Sequence, residues 1–210
     1  MRISEIYSSI QGETQHAGRP CTLVRLTGCD LRCTYCDTAY AFTGGAEMTV
    51  PEILARVADL GQHLVLVTGG EPLLHRDCAA LCQALLDAGN EVMLETSGAH
   101  DISGLPPGVV RIVDLKTPGS GEDARNRWEN LAHLRPGDAV KLVLRDRADY
   151  VWARDVVRAH DLHGAEVLLA PVWGQLDPRD LCAWMVEDRL AARLNLQLHK
   201  LVFGPDTRGV

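Results

Sequence analysis

Residues 28–38 read GCDLRCTYCDT, and three cysteines, Cys29, Cys33 and Cys36, lie within eight of these positions. Their C-x3-C-x2-C spacing lets a short loop direct three sulfur atoms toward one point, as an iron–sulfur or soft-metal site requires. A four-iron cluster held by three cysteines keeps one iron open to a small molecule. The alternatives are a structural zinc loop, which normally has four ligands, and three reduced surface cysteines. The spacing favours an iron–sulfur cluster with an open iron.

Composition limits the classes of protein that this chain can represent. Its 210 residues, 46% hydrophobic and 23% charged, predict a single domain over residues 1–210 with a substantial core. The net charge of −7 argues against a broad nucleic-acid-binding surface. No apolar run reaches membrane-spanning length, and the first residues lack a secretory apolar region. Seven cysteines, three of them clustered, argue against a secreted disulfide scaffold, so we predict a cytoplasmic protein with reduced thiols.

Apolar runs and helical patterns alternate along the chain, which predicts a parallel sheet with right-handed crossovers. Thr49 and Glu52 form a capping box at the start of one helix, and Asp177 caps another that begins at Pro178. Cys78 and Cys82 could share a metal at i, i+4 on a helix, but we interpret them as core residues. Strands are predicted at residues 2–8, 21–26, 64–67, 92–95, 109–115, 139–144 and 166–170, and further helices at about 76–88 and 148–160.

Polar or glycine-containing segments follow one predicted strand after another. The turn at residues 68–72 (TGGEP) carries two glycines at the end of a buried strand, which lets the backbone approach a ligand closely. In parallel α/β folds the ligand lies at the carboxyl ends of the strands. The number of such ends suits an incomplete barrel of the (β/α)6 type better than a closed barrel of eight strands. We therefore predict an α/β fold with its site at this edge.

The cysteine loop and the GGEP turn about 30 residues later together resemble the radical S-adenosylmethionine (SAM) superfamily. In that superfamily the open iron binds SAM, and an aromatic residue such as Tyr35 precedes the last cysteine. Nearly the whole chain resembles one family within it, the 7-carboxy-7-deazaguanine synthases. The motifs that carry this resemblance are residues 9–13 (SIQGE), 36–38 (CDT), 68–72 (TGGEP), 95–98 (ETSG), 114–118 (DLKTP) and 197–200 (QLHK).

The resemblance implies a radical ring contraction on an incomplete barrel of the radical SAM kind, reduced in helices. 6-Carboxy-5,6,7,8-tetrahydropterin would become 7-carboxy-7-deazaguanine with loss of ammonia, in deazapurine and queuosine biosynthesis. The implied cofactors are a [4Fe-4S] cluster, SAM and Mg2+, with SAM cleaved to a radical that takes a hydrogen atom from the substrate. Further expectations are a homodimer and an electron donor such as flavodoxin or ferredoxin. Neither nucleic acid nor membrane is an expected partner.

The resemblance also implies roles for individual residues. Cys29, Cys33 and Cys36 would ligate the cluster, and the Thr38 hydroxyl would reach Mg2+. Around SAM the candidates are Tyr35, Asp37, Gly70, Glu71, Ser97, Lys116 and Pro171. For the substrate they are Ile10, Gln11, Gly12, Glu13, Arg25, Thr68, His199 and Pro205.

The chain departs from the family pattern at two places, and one residue has an open role. Five residues follow Pro205, where a family chain can end, and Ala170 stands before Pro171 where a polar residue is expected. Glu95 reaches the site only if its strand has the right register.

Two other classes of function remain open from the residues. A radical SAM activase of a glycyl-radical protein would share the cluster loop, but residues 11–13 and Thr38 would then have no assigned role. A non-catalytic iron–sulfur or zinc protein would leave the GGEP turn unexplained. An assay of SAM cleavage by the reduced protein under anaerobic conditions separates these classes. No cleavage would favour the non-catalytic protein, and cleavage only with a partner protein would favour the activase.

Overall fold

The computed structural model describes residues 1–209, in which the chain forms nine β-strands and five α-helices. The strands are β1 (Arg2–Ile10), β2 (Pro20–Leu26), β3 (Ala46–Glu47), β4 (Leu64–Gly69), β5 (Glu91–Thr96), β6 (Val110–Asp114), β7 (Ala139–Leu144), β8 (Glu166–Pro171) and β9 (Arg193–Leu194). The helices are α1 (Val50–Leu60), α2 (Cys78–Asp87), α3 (Arg147–Ala159), α4 (Pro178–Glu187) and α5 (Leu198–Phe203).

All nine strands belong to one sheet, in the order β3-β1-β2-β4-β5-β6-β7-β8-β9. Every pairing from β2 to β9 is parallel, as the alternation of strands and helices predicts. β1 is the exception: it pairs with β2 in antiparallel fashion, because a short connection returns the chain directly. In residues 1–209 no ladder joins β3 to β9, so the sheet is an incomplete barrel.

Few helices cover the sheet, in agreement with the reduced fold that we expected. In the described chain no α-helix lies between β5 and β6, and only short 3-10 helices lie between β6 and β7. The capping box at Thr49 and Glu52 is present, and the Asp177 carboxylate accepts a hydrogen bond from the Arg179 backbone N–H. α5 was not predicted, because its six residues are too few to show a helical period and the Gln197 side chain makes no capping bond.

The core divides into two clusters, one on each face of the sheet. The larger cluster packs the sheet against the helices and includes Cys78 and Cys82, which are fully buried as core residues. The smaller one fills the concave side with apolar residues such as Leu66 and Met93. All seven cysteines are free thiols. Within residues 1–209, no helix has both the length and the apolar character that crossing a membrane requires.

Candidate active site

A cavity of about 640 Å³ opens at the carboxyl ends of the parallel strands. Its walls come from β1 and β2 on one side and from β8 and α5 on the other, so the sheet curves around it. Every site residue predicted from the sequence lines this cavity except Glu71. Glu95 also lines the cavity, so the register of β5 directs this side chain toward the site. The structure therefore brings these residues together, while their individual roles stay predictions.

The cysteine loop follows β2 directly and presents Cys29, Cys33 and Cys36 to the cavity. Burial raises the pKa of all three thiols. Among residues 1–209 no three His, Cys, Asp or Glu side chains converge closely enough to hold a single metal ion. A four-iron cluster is wider than one ion and takes thiolates at separate points of a wall. The soft donors and their shared cavity fit such a cluster.

Gly70 allows the GGEP turn to lie directly against the cysteine loop. The Glu71 backbone N–H donates to the Gly28 carbonyl at 2.7 Å. A Cβ atom added at Gly70 would lie 1.9 Å from the same carbonyl oxygen and 3.1 Å from the Cys29 Cβ atom. The close packing of the two backbones therefore requires glycine at this position, whether or not a ligand also contacts it.

Glu71 is fully buried and does not line the cavity. Its carboxylate accepts hydrogen bonds from the Thr96 hydroxyl at 2.8 Å, the Ser97 N–H at 2.6 Å and the Leu73 N–H at 2.9 Å. These donors belong to the turn after β4, to the last residue of β5 and to the residue that follows it. The Glu71 side chain therefore joins two segments of the cavity wall, because buried donors require an acceptor, and its predicted place around SAM stays a prediction.

We expect Glu71→Gln to lower the free energy of unfolding by about 1.5–3 kcal/mol. The amide has one acceptor oxygen in place of two, and its NH2 group would face N–H and O–H donors. Urea unfolding measures the loss, with Glu129→Gln as an exposed control that we expect to unfold like the unsubstituted protein. Equal stability of the two variants would show that the carboxylate does not hold the turns.

Tyr35 and Lys116 form the wall beside the cysteines. The Tyr35 hydroxyl donates to the Val143 carbonyl at 3.0 Å. Lys116 Nζ lies 2.7 Å from Asp114 Oδ2. Burial alone would lower the pKa of Lys116, but the Asp114 carboxylate raises it above its usual range. The Asp114 carboxylate therefore favours the charged form of Lys116.

Asp37 is held by the C-terminal helix α5. Lys200 Nζ lies 2.6 Å from Asp37 Oδ2, and Gln197 Nε2 donates to the same oxygen at 3.1 Å. The Thr38 hydroxyl donates to Asp37 Oδ1 at 2.9 Å. Burial alone would raise the pKa of Asp37, but Lys200 lowers it well below its usual range. Sequence reasoning assigned no role to Lys200, whose partner lies 163 positions earlier in the chain.

Glu13 lies near Asp37, since Gln197 Nε2 donates to both carboxylates, and two side chains hold the Glu13 carboxylate. Lys141 Nζ is 3.0 Å from Glu13 Oε2, and Gln197 Nε2 donates to Glu13 Oε1 at 2.9 Å. Burial alone would raise the pKa of Glu13, but Lys141 and Gln197 lower it. Lys141 was not predicted as a site residue, although a lysine inside the apolar run of β7 was a signal.

The pKa of Glu13 lies below its ordinary 4.5, so its ion pair stabilises the fold at neutral pH and loses that effect as the pH falls below 4.5. We expect Glu13→Gln to cost about 1–3 kcal/mol of unfolding free energy at pH 7. The difference from the unsubstituted protein should shrink as the pH is lowered below 4.5, as measured by urea unfolding. A difference that stays constant over this range would contradict the ion pair.

Arg25 projects from β2 and is oriented by two residues that sequence reasoning missed. Its Nε donates to Glu5 Oε1 at 2.7 Å, and the Tyr40 hydroxyl donates to the same oxygen at 2.9 Å. The Arg25 guanidinium also lies 5.9 Å from the centre of the Tyr40 ring. The Glu5 carboxylate thereby limits the directions in which Arg25 can point into the cavity.

His199 packs against Gly12, where a Cβ atom would lie 1.9 Å from the imidazole Nδ1. The Leu198 N–H donates to the Gly12 carbonyl at 2.7 Å, so α5 is fastened to the segment after β1. Burial lowers the pKa of His199, which favours the neutral imidazole. Opposite it, the Thr68 hydroxyl donates to Glu95 Oε2 at 3.3 Å.

Residues 23–112, from β2 to β6, match the sequence profile of the Radical SAM superfamily. This match includes all three cysteines and the GGEP turn. The fold and the cysteine loop therefore define a radical SAM enzyme, a class that uses a [4Fe-4S] cluster and SAM.

Curated relatives identify the branch of this superfamily. The 7-carboxy-7-deazaguanine synthase of Koribacter versatilis is 44% identical, and the alignment covers 100% of both chains. The synthase of the same name from Chlorobaculum tepidum is 45% identical over 100% of this chain and 97% of its own. The chain belongs to the 7-carboxy-7-deazaguanine synthase family. The crystal structure of QueE from Escherichia coli shares its fold, with a TM-score of 0.76 and 23% identity over 94% of each chain.

Proposed function

We propose that this protein converts 6-carboxy-5,6,7,8-tetrahydropterin to 7-carboxy-7-deazaguanine with release of ammonia, as a single radical SAM domain. The observation that carries the proposal is one cavity that holds both the cysteine loop and a set of polar groups suited to a pterin. Full-length similarity to synthases of that name supports the choice of substrate.

Cys29, Cys33 and Cys36 would hold the [4Fe-4S] cluster. When bound, the cluster and SAM supply the one-electron chemistry that generates the 5′-deoxyadenosyl radical. The chain's own residues bind and orient the reactants and exclude water. Candidates around SAM are Tyr35, Asp37, Gly70, Ser97, Lys116 and Pro171, with Glu71 acting from behind the wall by fixing the Ser97 backbone.

The substrate end offers groups that match a pterin ring. The Glu13 carboxylate accepts hydrogen bonds, as the ring N–H and NH2 groups require, and the backbone of Ile10 and Gly12 adds neighbouring polar groups. Arg25 can pair with the substrate carboxylate. Neutral His199 can donate or accept one hydrogen bond. The remaining substrate candidates are Gln11, Thr68 and Pro205.

Mg2+ is part of the proposal, with Thr38 as its protein ligand and substrate oxygens and water as the others. We expect Thr38→Val to raise the Mg2+ concentration for half-maximal turnover by about tenfold, because the hydroxyl is lost. The Mg2+ dependence of turnover measures this, with the exposed Thr43→Val as control. An unchanged Mg2+ dependence in Thr38→Val would remove Thr38 from the metal site.

The partners belong to the proposal as well. A one-electron donor such as flavodoxin or ferredoxin would reduce the cluster, and the enzyme would act as a homodimer in deazapurine and queuosine biosynthesis. The free thiols of all seven cysteines support a reducing compartment such as the cytoplasm. Pro205 and the four residues after it that the structure describes line the cavity, which supports a contact between this segment and the substrate.

The test is anaerobic turnover by cluster-reconstituted protein with SAM and dithionite, with and without the pterin and Mg2+. We expect a product lighter than the substrate by ammonia, formed only when the pterin is present. SAM cleavage that ignores the pterin and requires a protein partner would favour the activase. No SAM cleavage by a verified, reduced cluster would favour a non-catalytic iron–sulfur protein.

A further inference from the structure

Lys141 is a lysine side chain in the middle of β7, and it is only 9% exposed. Its neighbours along the strand are apolar, and their side chains are largely buried. An ammonium group in such a position is stable only when anionic partners compensate for the loss of water. The anionic partners of Lys141 therefore indicate its role.

Three carboxylates from different segments of the chain lie around the Lys141 ammonium. Nζ lies 3.0 Å from Glu13 Oε2, 3.4 Å from Asp114 Oδ1 and 4.0 Å from Glu95 Oε1. Asp114 has a second cation, because its other oxygen is bound by Lys116. Glu13 has Lys141 as its ion-pair partner and Gln197 as a neutral donor. Of these contacts, the one with Glu13 is the shortest.

The direction of Glu13 matters because the segment that carries it is a connection between β1 and β2, outside the ladders of the sheet. Lys141 projects from β7, which is held in the sheet by its pairing with β6 on one side and β8 on the other. The ion pair thus fixes the Glu13 side chain, which lies on a loop, relative to the sheet. It also keeps that carboxylate an acceptor without a proton, which a ring that presents N–H groups requires.

We propose that Lys141 is a positioning residue for substrate recognition: it holds the Glu13 carboxylate in the place and the anionic form that bind the N–H edge of the pterin. This inference rests on the proposed function. It assigns to Lys141 an action through Glu13, without contact to the reacting atoms.

The test compares reconstituted holoenzymes carrying Lys141→Met, Lys141→Arg, Glu13→Gln and the double change Glu13→Gln/Lys141→Met. We expect Lys141→Met to raise the KM for the pterin by about tenfold or more, with a much smaller change in kcat and in the KM for SAM. Lys141→Arg keeps the charge and should recover most of the affinity. In the Glu13→Gln background, Lys141→Met should add little to the KM for the pterin.

Three results would overturn the inference. They are a loss in kcat at unchanged KM, full additivity of the two changes, and an Arg variant as impaired as the Met variant. If Lys141→Met does not fold, Lys141→Gln replaces it in the same comparison.

A second measurement separates this inference from the proposed function. This measurement is the midpoint of urea unfolding, which requires no substrate. It is made on the unsubstituted protein, Glu13→Gln, Lys141→Met and the double variant. If the unsubstituted enzyme does not convert the pterin, the proposed function fails, and the unfolding cycle still tests the pair. Non-additive shifts in the midpoint would then support the positioning of Glu13 by Lys141, and additive shifts would exclude it.

Discussion

Cys33→Ala is expected to reduce SAM cleavage by more than about 100-fold, since even an outer-shell partner of a metal ligand commonly contributes about 10–100-fold. Cys33 is the middle cysteine of the loop. Residues 29–36 contain only two other cysteines, Cys29 and Cys36, and both are already predicted cluster ligands. A cluster held by two thiolates loses iron, and the open iron that binds SAM loses its fixed place.

The measurement is 5′-deoxyadenosine formed per protein, together with iron and sulfide content and the electron paramagnetic resonance signal of the reduced cluster. Cys182→Ala is the matched control, because Cys182 is an exposed cysteine on α4 that does not line the cavity. We expect this control to keep full cluster content and full cleavage. Equal cleavage by the two variants would exclude the loop as the cluster site.

Gly70→Ala is expected to destabilise the fold by at least about 2 kcal/mol and to reduce SAM cleavage more than about tenfold. The added methyl group would lie 1.9 Å from the Gly28 carbonyl oxygen, and backbone atoms cannot rotate away as a side chain can. Either the GGEP turn or the cysteine loop must move. Both form the wall where the cluster and SAM would lie, so stability and activity should fall together.

Gly104→Ala is the control for the same chemical change, because a Cβ atom at Gly104 would meet nothing within 4 Å. We expect its unfolding free energy to stay within about 0.5 kcal/mol of the unsubstituted protein. Urea unfolding, cluster content and SAM cleavage are measured on both variants. A Gly70→Ala protein with normal stability and a normal cluster would show that the two backbones are not packed as described.

Most of the fold could be predicted from the sequence because strand and helix periods are local properties. The alternating pattern predicted the parallel sheet from β2 onward, and the capping residues Thr49 and Asp177 marked two helix starts. The helix α5 was not predicted, because six residues are too few to display a helical period.

Sequence by itself determined the cysteine loop, the turn after β4 and the family, because each depends on residue types at short fixed spacings. Only the tertiary structure decided which charges meet. The partner of Lys141 lies 128 positions away, and that of Lys200 lies 163 positions away. Glu71 is fully buried and joins the GGEP turn to the segment after β5 through its hydrogen bonds to Thr96 and Ser97. Such pairings depend on strand order, register and the curvature of the sheet, and these are properties of the whole folded chain.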